Sequence, residues 1–326
     1  MYTGHKFVCW VVIFVFFHTP SLVANPDILL KKRANLMGSV FEISLVGTDS
    51  ASLEYQIQLV IDEIERIENL ISEWRPNTQI SEVNRNAGIR PVKVDREVFE
   101  LTRRAISYSI MSDGAFDISV AALDKIWRFD GNMDALPSDA AVQNSVTKVG
   151  FEKIELDSIA STIFLKQSGM KIGFGSIGKA YAADRGRHIL QEMGVKGGLI
   201  NASGDIALWG KPPEKKSWSI GISDPEKPYK ITRKLRMKEG AVATSGNYKK
   251  YVMFNGVRYS HIINPRTGYP ATELASVTVI GPMAEFANAL STSVMVLGVK
   301  KGLKLMERYP QYRFVMITAK GRTLRS

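Results

Sequence analysis

Apolar residues at Leu53, Ile57, Val60, Ile61, Ile64, Ile67, Ile71 and Trp74 recur at intervals of three and four. That periodicity predicts one long amphipathic helix, whose stripe must be buried against another layer. A second helix begins near Asp95, a favourable N-cap, carries Val98, Leu101 and Ala105, and ends near Ser112-Asp113-Gly114. Two more are expected over residues 178–193, closed by Gly194, and 283–297, closed by Gly298, with a short one from Lys300. Strands are expected over residues 37–45, 153–156, 162–165, 170–174, 198–209 (interrupted by Ser203-Gly204), 218–222, 276–280 and 314–318. Asn255-Gly256, between residues 251–254 and 257–263, signals a hairpin. Residues 130–150 are polar and turn-rich and read as a surface excursion. Helices and strands are both plentiful but do not alternate as βαβ units do. The expected class is therefore α+β with mainly antiparallel sheets.

The N-terminus follows another pattern. Lys6 precedes an apolar run over residues 7–17, followed by His18, Thr19, Pro20 and Ser21-Leu22-Val23-Ala24. A basic start, a short apolar stretch and a small residue at a cut site describe a secretory signal. The run is short for a spanning helix, which needs roughly 20 residues. Residues 1–24 are thus expected to be a cleavable signal peptide and 25–326 the functional domain, with an uncleaved N-terminal anchor as the alternative. The single cysteine, Cys9, lies inside the apolar run rather than at its end, which does not suit lipid attachment. The expectation is a soluble exported protein. Net charge is +11, or about +10 without Lys6. Apart from Lys31-Lys32-Arg33 and Lys249-Lys250 the cations are scattered, with no aromatic-interleaved stripe of the nucleic-acid-binding kind. A solvated basic surface, an anionic phosphate-bearing ligand or proximity to a membrane surface all accommodate this charge.

Of four histidines, His5 and His18 fall in or beside the leader, leaving His188 and His261. His188 sits mid-helix near Arg185, Gly186 and Arg187 and reads as solvent-exposed. His261 ends an expected strand and opens the loop Ile262-Ile263-Asn264-Pro265-Arg266-Thr267-Gly268. Imidazole is the side chain whose ordinary titration range lies nearest neutral pH, which suits a general base. In Gly173-Phe174-Gly175-Ser176-Ile177-Gly178-Lys179, backbone amides at a helix start and a lysine suit phosphate. The spacing is neither a Walker loop nor a dinucleotide fingerprint, and a tight structural turn explains it equally. Thr244-Ser245-Gly246-Asn247-Tyr248 offers hydroxyls, an amide and a phenol, or is an ordinary polar turn. Asn288 and Thr292, four apart on a helix, share a face, as hard-cation ligands or as surface hydrogen-bonding groups. Ser112-Asp113-Gly114-Ala115-Phe116-Asp117 permits close backbone approach or simply ends a helix. Trp74, Tyr181, Tyr248 and Tyr251 are core aromatics or flavin-stacking rings.

Taken together and in order, these segments resemble the ApbE family, the FAD:protein FMN transferases. The resemblance starts at Met37-Gly38-Ser39, where the family has Met-Gly-Thr. It runs through residues 112–117, Trp127-Arg128-Phe129, 178–184, 201–206, 243–248, 261–268 and 286–292. It implies two lobes of mainly antiparallel sheet with packed helices and a FAD cleft between them. It also implies magnesium-dependent transfer of FMN from FAD to a threonine of an acceptor protein, releasing AMP, in the periplasm. The acceptor implied is a flavoprotein subunit of a membrane electron-transfer complex. FAD binding without transfer, and FAD hydrolysis to FMN and AMP, are the alternatives.

By the same resemblance, His261 is the acid–base residue. Ser176, through its backbone carbonyl, Asn288 and Thr292 hold the metal. Met37 and Trp74 contact the flavin side, and Ala115, Asp117, Lys179 and Asp184 lie in FAD-binding segments. Ser245 and Gly246 belong to a loop near the phosphates. The chain departs from the family pattern twice. Asn288 stands where an Asp is usual, and Gly173-Phe174-Gly175 where Asp-Leu-Gly is usual. Two negative charges are thereby absent near the implied metal, and a neutral amide binds magnesium less well than a carboxylate.

Overall fold

The helical stripe becomes α1, Ser50–Ile71, which buries Leu53, Ile57, Val60, Ile61, Ile64, Ile67 and Ile71. Each such burial contributes roughly 1.5–3 kcal/mol. The Asp49 carboxylate caps the helix by accepting the Ser52 N–H at 2.8 Å. Trp74, the last member of the expected stripe, lies beyond the helix end and is 72% exposed. This computed structural model describes residues 1–2, 26–129, 133, 135–225, 227, 229–248 and 250–326. The expected leader, with His5, Cys9 and His18, lies outside the described residues except for Met1 and Tyr2, as does Lys249.

The other helices are α2 (Gln79–Arg85), α3 (Arg96–Met111), α4 (Asp139–Val146), α5 (Gly178–Glu192) and α6 (Ala284–Glu307). The first strands are β1 (Ile28–Leu36), β2 (Ser39–Gly47), β3 (Val92–Lys93), β4 (Ile154–Asp157) and β5 (Thr162–Leu165). Then come β6 (Gly197–Ala202), β7 (Asp205–Trp209), β8 (Trp218–Ser223), β9 (Ile231–Met237) and β10 (Gly240–Gly246). The last are β11 (Tyr251–Phe254), β12 (Val257–Ser260), β13 (Leu274–Gly281), β14 (Arg313–Thr318) and β15 (Thr323–Arg325).

Eight strands form one sheet in the order β1-β2-β6-β7-β10-β13-β14-β15. Every neighbouring pair is antiparallel. The α+β class with antiparallel sheets is therefore the observed one. Side chains alternate between two cores, as period-2 geometry requires. Phe41, Ile43, Leu45, Ile200 and Ala207 face the core containing α1 and α5, and Ala243, Val277 and Val279 face that of α6. Val46, Leu199, Ile206, Leu208, Val242 and Ile280 face the opposite side, covered by Trp218, Ile220 and Met237 of the β8–β9 hairpin. The central strands are thus buried on both faces.

The expected break at Ser203-Gly204 is the tight turn joining β6 to β7, with φ of 58° and 108°. Asn255-Gly256 turns β11 into β12 with φ of 49° and 75°. Asn and Gly tolerate that left-handed backbone at little cost. Helix α6 bends at Gly298, where the first of its two expected segments was to end. Strands β1 and β9 and helices α2 and α4 were not expected. The strands are largely exposed, so no apolar alternation marks them. The helices have only 7 and 8 residues. Helix α4 lies inside the expected surface excursion and buries Val142.

Residues 170–174 are not a strand. Met170, Ile172 and Phe174 are buried at strand-like spacing, but a side chain takes the place of a partner strand. Asn84 donates to the Ile172 carbonyl at 2.9 Å and accepts its N–H at 2.8 Å. The Gly173 N–H donates to the Ile118 carbonyl at 3.0 Å. Asn84→Ala is expected to strand both groups of Ile172 and lower stability by about 2 kcal/mol. A reduced urea midpoint at unchanged slope is the measurement that checks it.

Candidate functional site

Helix α6 lies on β10 and β13 through Ala287, Leu290 and Val294. Its neighbouring polar residues are consequently taken out of water and must satisfy one another. Ser245 shares hydrogen bonds with Ser291 at 2.8 Å and Thr292 at 3.2 Å. The Thr292 hydroxyl donates weakly to Asn288 Oδ1 at 3.4 Å. Asn288 Nδ2 donates to Asp205 Oδ1 at 3.0 Å, within a buried pair. Thr244-Ser245-Gly246 is therefore the end of a central strand, not a surface turn. The next residue, Asn247, keeps a buried side-chain oxygen without a hydrogen-bond partner among the described residues.

This cluster supplies amide, hydroxyl and carboxylate oxygens and neither sulfur nor imidazole, a donor set that fits a hard divalent cation. Asp205 also turns the Asn288 amide so that its oxygen stands beside Thr292. Among the described residues no three His, Cys, Asp or Glu side chains gather as a metal centre. Such a site would rely on phosphate oxygens of an anionic ligand to complete the coordination. On the opposite face of the sheet, under the β8–β9 hairpin, a cavity of about 450 Å³ is lined by Asn201, Gly204, Ile220, Gly221, Thr244 and Tyr248. That size suits part of a nucleotide.

His261 follows directly on β12 and is exposed. Its Nδ1 lies 3.1 Å from the Lys250 carbonyl, and its ring meets Phe129 edge-on. The loop beyond it is closed by Asn264 N–H to Tyr269 O at 2.8 Å and by the pairing of Ile263 with Pro270. Arg266 docks this loop on the turn after α3, donating to the Asp113 carbonyl at 2.6 Å and pairing with its carboxylate at 2.7 Å. Trp127 donates to the Gly268 carbonyl at 2.8 Å and stacks on Phe129 and Tyr259. Residues 112–117, 127–129 and 261–268 thus form one loop cluster around the imidazole.

Ala115 and Asp117 are buried at the base of that cluster. Asp117 accepts from Ser119 N and Oγ and from Phe151 N. Burial raises its pKa, and those hydrogen bonds oppose the rise. Asp184 on α5 accepts the Glu285 N–H at 2.9 Å, capping α6 from a neighbouring helix, and pairs with Arg187 at 3.0 Å. Both carboxylates are turned into the protein, so their contribution is to hold backbone in place. Met37 has φ of 51° and donates its N–H to Glu68 at 3.0 Å. Its side-chain end lies near Gly178, the first residue of α5. Lys179 reaches back to the Gly175 carbonyl at 3.3 Å, and Ser176 lies in the loop between them. Lys171 stands 5.0 Å from the Trp74 ring centre. His188 is exposed as expected and reaches Glu192 at 3.2 Å.

Ser245, Asn288 and Thr292 are brought together. Met37 and Lys179 flank the start of α5, and His261 belongs to the separate loop cluster. Sequence reasoning missed Asp205 as the partner of Asn288. Its signal was a lone acid opening an otherwise apolar strand after Ser203-Gly204.

The family model "ApbE family" matches residues 37–316. The chain belongs to the ApbE family. A FAD:protein FMN transferase of Klebsiella pneumoniae is 32% identical over 87% of this chain and 88% of its own. One of Treponema pallidum is 30% identical over 80% and 76%. The crystal structure of an ApbE protein from Thermotoga maritima superposes with a TM-score of 0.84 at 30% identity, covering 91% of this chain and 97% of that one. The flavin transferase ApbE of Vibrio cholerae gives 0.80 at 25% identity, covering 92% and 98%. This ApbE-family chain is a transferase.

Burial raises the Asp184 pKa from 3.8 to about 6 although Arg187 opposes it. The folded state therefore binds this proton more tightly than the unfolded chain. The stabilisation is fully present below the unfolded value and is lost as pH rises through about 6. Asp184→Asn keeps an acceptor for Glu285 without ionising. Relative to the variant, the wild type is expected to lose about 1–3 kcal/mol between about pH 4 and pH 7, read from urea unfolding at each pH.

Proposed function

We propose that the chain is a magnesium-dependent FAD:protein FMN transferase that moves FMN from FAD to an acceptor threonine and releases AMP. The observation that carries this reading is the buried oxygen cluster of Asp205, Ser245, Asn288 and Thr292. It lies in a chain that aligns over 87% of its length with a protein named for that reaction. In the reaction the threonine Oγ bonds to the FMN phosphorus. The bond from that phosphorus to the bridging oxygen breaks, and the oxygen leaves with AMP. A dianionic pyrophosphate repels an incoming nucleophile, so neutralisation, alignment and a base are required.

Asn288, Thr292 and the Ser176 carbonyl would hold magnesium, with Asp205 orienting the amide. The bound ion would neutralise phosphate oxygens and align them. Ser245 and Gly246 would lie near the phosphates, and Lys179 would add positive field. Met37 and Trp74 would meet the flavin side, while Asp117 and Asp184 hold the backbone of the FAD-binding segments. His261 would accept the threonine proton. Its exposure, at the rim of a loop anchored by Arg266 and Trp127, suits a base that must meet a hydroxyl carried by another protein.

The acceptor is proposed to be a flavoprotein subunit of a membrane electron-transfer complex. From the expected leader we propose that the chemistry takes place in the periplasm, with the enzyme soluble or held by an uncleaved N-terminal segment. Among the described residues, no helix is long and apolar enough to cross a membrane.

Incubation with FAD and magnesium, with and without acceptor, is expected to give AMP and a fluorescent acceptor band. Absence of AMP in both would sink the reading, and AMP without a labelled acceptor would favour FAD hydrolysis. His261→Ala should lower transfer by at least about 100-fold while sparing FAD binding. Asn288→Asp adds a carboxylate to the cluster and should lower the magnesium concentration for half-maximal AMP release by about 10-fold.

A further inference from the structure

None of the roles above uses Glu73, an acid in the connection between α1 and α2. Its carboxylate stands where a side chain on Gly173 would be. A Cβ at 173 would lie 2.6 Å from Glu73 Oε1 and 2.8 Å from its Cδ. A Cβ at Gly175 would lie 3.5 Å from the same oxygen. Burial raises the pKa of this carboxylate, and hydrogen bonding from the Glu73 and Phe174 backbone and the positive charges of Lys171 and Lys179 oppose the rise. Lys171 is the cation over Trp74, and Lys179 returns to the Gly175 carbonyl. One half-buried carboxylate therefore lies beside the loop that carries Ser176, in the field of both lysines.

We infer that Glu73 is a positioning residue of the transfer site: it occupies the space left by the missing side chain at 173, fixes the Ser176 loop and restores a negative charge there. The inference rests on the function proposed above. The glycine and the glutamate form a reciprocal pair, since a side chain at 173 and the carboxylate of Glu73 compete for one volume. The charge missing from the loop's own sequence is delivered by a residue 100 positions earlier.

The test measures the magnesium dependence of FAD binding, by flavin fluorescence, and of AMP release. The proteins are the wild type, Glu73→Gln, Glu73→Ala, Gly173→Asp and the double variant Glu73→Ala/Gly173→Asp. Glu73→Gln keeps the shape and an acceptor for the Phe174 N–H but loses the charge. Its half-saturating magnesium is expected to rise about 10-fold, as for other residues that orient metal ligands, at an unchanged melting temperature. The double variant should recover to within about 3-fold of wild type. Gly173→Asp alone should bind worse than the double variant, because both carboxylates then crowd one space. Wild-type magnesium dependence in Glu73→Gln, or a double variant no better than Glu73→Ala, would overturn the inference. So would wild-type FAD binding indifferent to magnesium. If Glu73→Ala does not fold, Glu73→Gln and the double variant decide. If the wild type binds FAD with magnesium but releases no AMP, the transfer reading fails and the binding data alone judge Glu73.

Discussion

Polar groups shut inside the interface between α6 and the central sheet have to find partners there. Asp205, Ser245, Asn288, Ser291 and Thr292 come from three elements, and every one is hydrogen-bonded to another of the five. Leaving such a group unpaired costs about 1–3 kcal/mol, so the cluster fixes the register of α6 on β7 and β10. The same oxygens, already gathered and oriented, are what a hard cation takes. Packing and chemistry here depend on one set of contacts.

The rest of the fold serves that seating. Glu285, in the first turn of α6, is buried and held by Arg104 at 2.8 Å and Tyr108 at 2.9 Å. Asp184 caps the same turn from α5. Helices α3 and α5 are thereby tied to the start of α6. The His261 loop is fastened to the end of α3 by Arg266 and to residues 127–129 by the Trp127 hydrogen bond to the Gly268 carbonyl and the edge-on contact of His261 with Phe129. A base on a loop gains precision from a scaffold fixed at both ends. Carboxylates follow a similar logic: Asp205 holds the Asn288 amide, and the Glu73 carboxylate stands where a side chain at 173 would be.

Elements with a strong local period were legible in the chain. Helices α1 and α3, the Asn255-Gly256 turn and β5 stand where periodicity or turn chemistry placed them. Strands β1 and β9 carry mostly exposed cations and no stripe, so nothing local announced them. Residues 170–174 had the period of a strand but not its partner, because the Asn84 amide satisfies Ile172. At the site, Asn288 and Thr292 were legible as neighbours one turn apart on a helix. Their meeting with Ser245 and Asp205 was not, because it joins residues 47 and 83 positions apart.

The sequence alone determined the α+β character, the long helix that demands a covering sheet, the family, and the rare imidazole at a strand end. These are properties of period, composition and ordered motifs, each carried by nearby residues. Only the tertiary structure decided which carboxylates face the candidate metal ligands and the Ser176 loop. It also decided that Asp117 and Asp184 turn inward and that Trp74 lies outside the core. Those outcomes depend on which distant groups are excluded from water together, and burial is a property of the packed chain rather than of any segment.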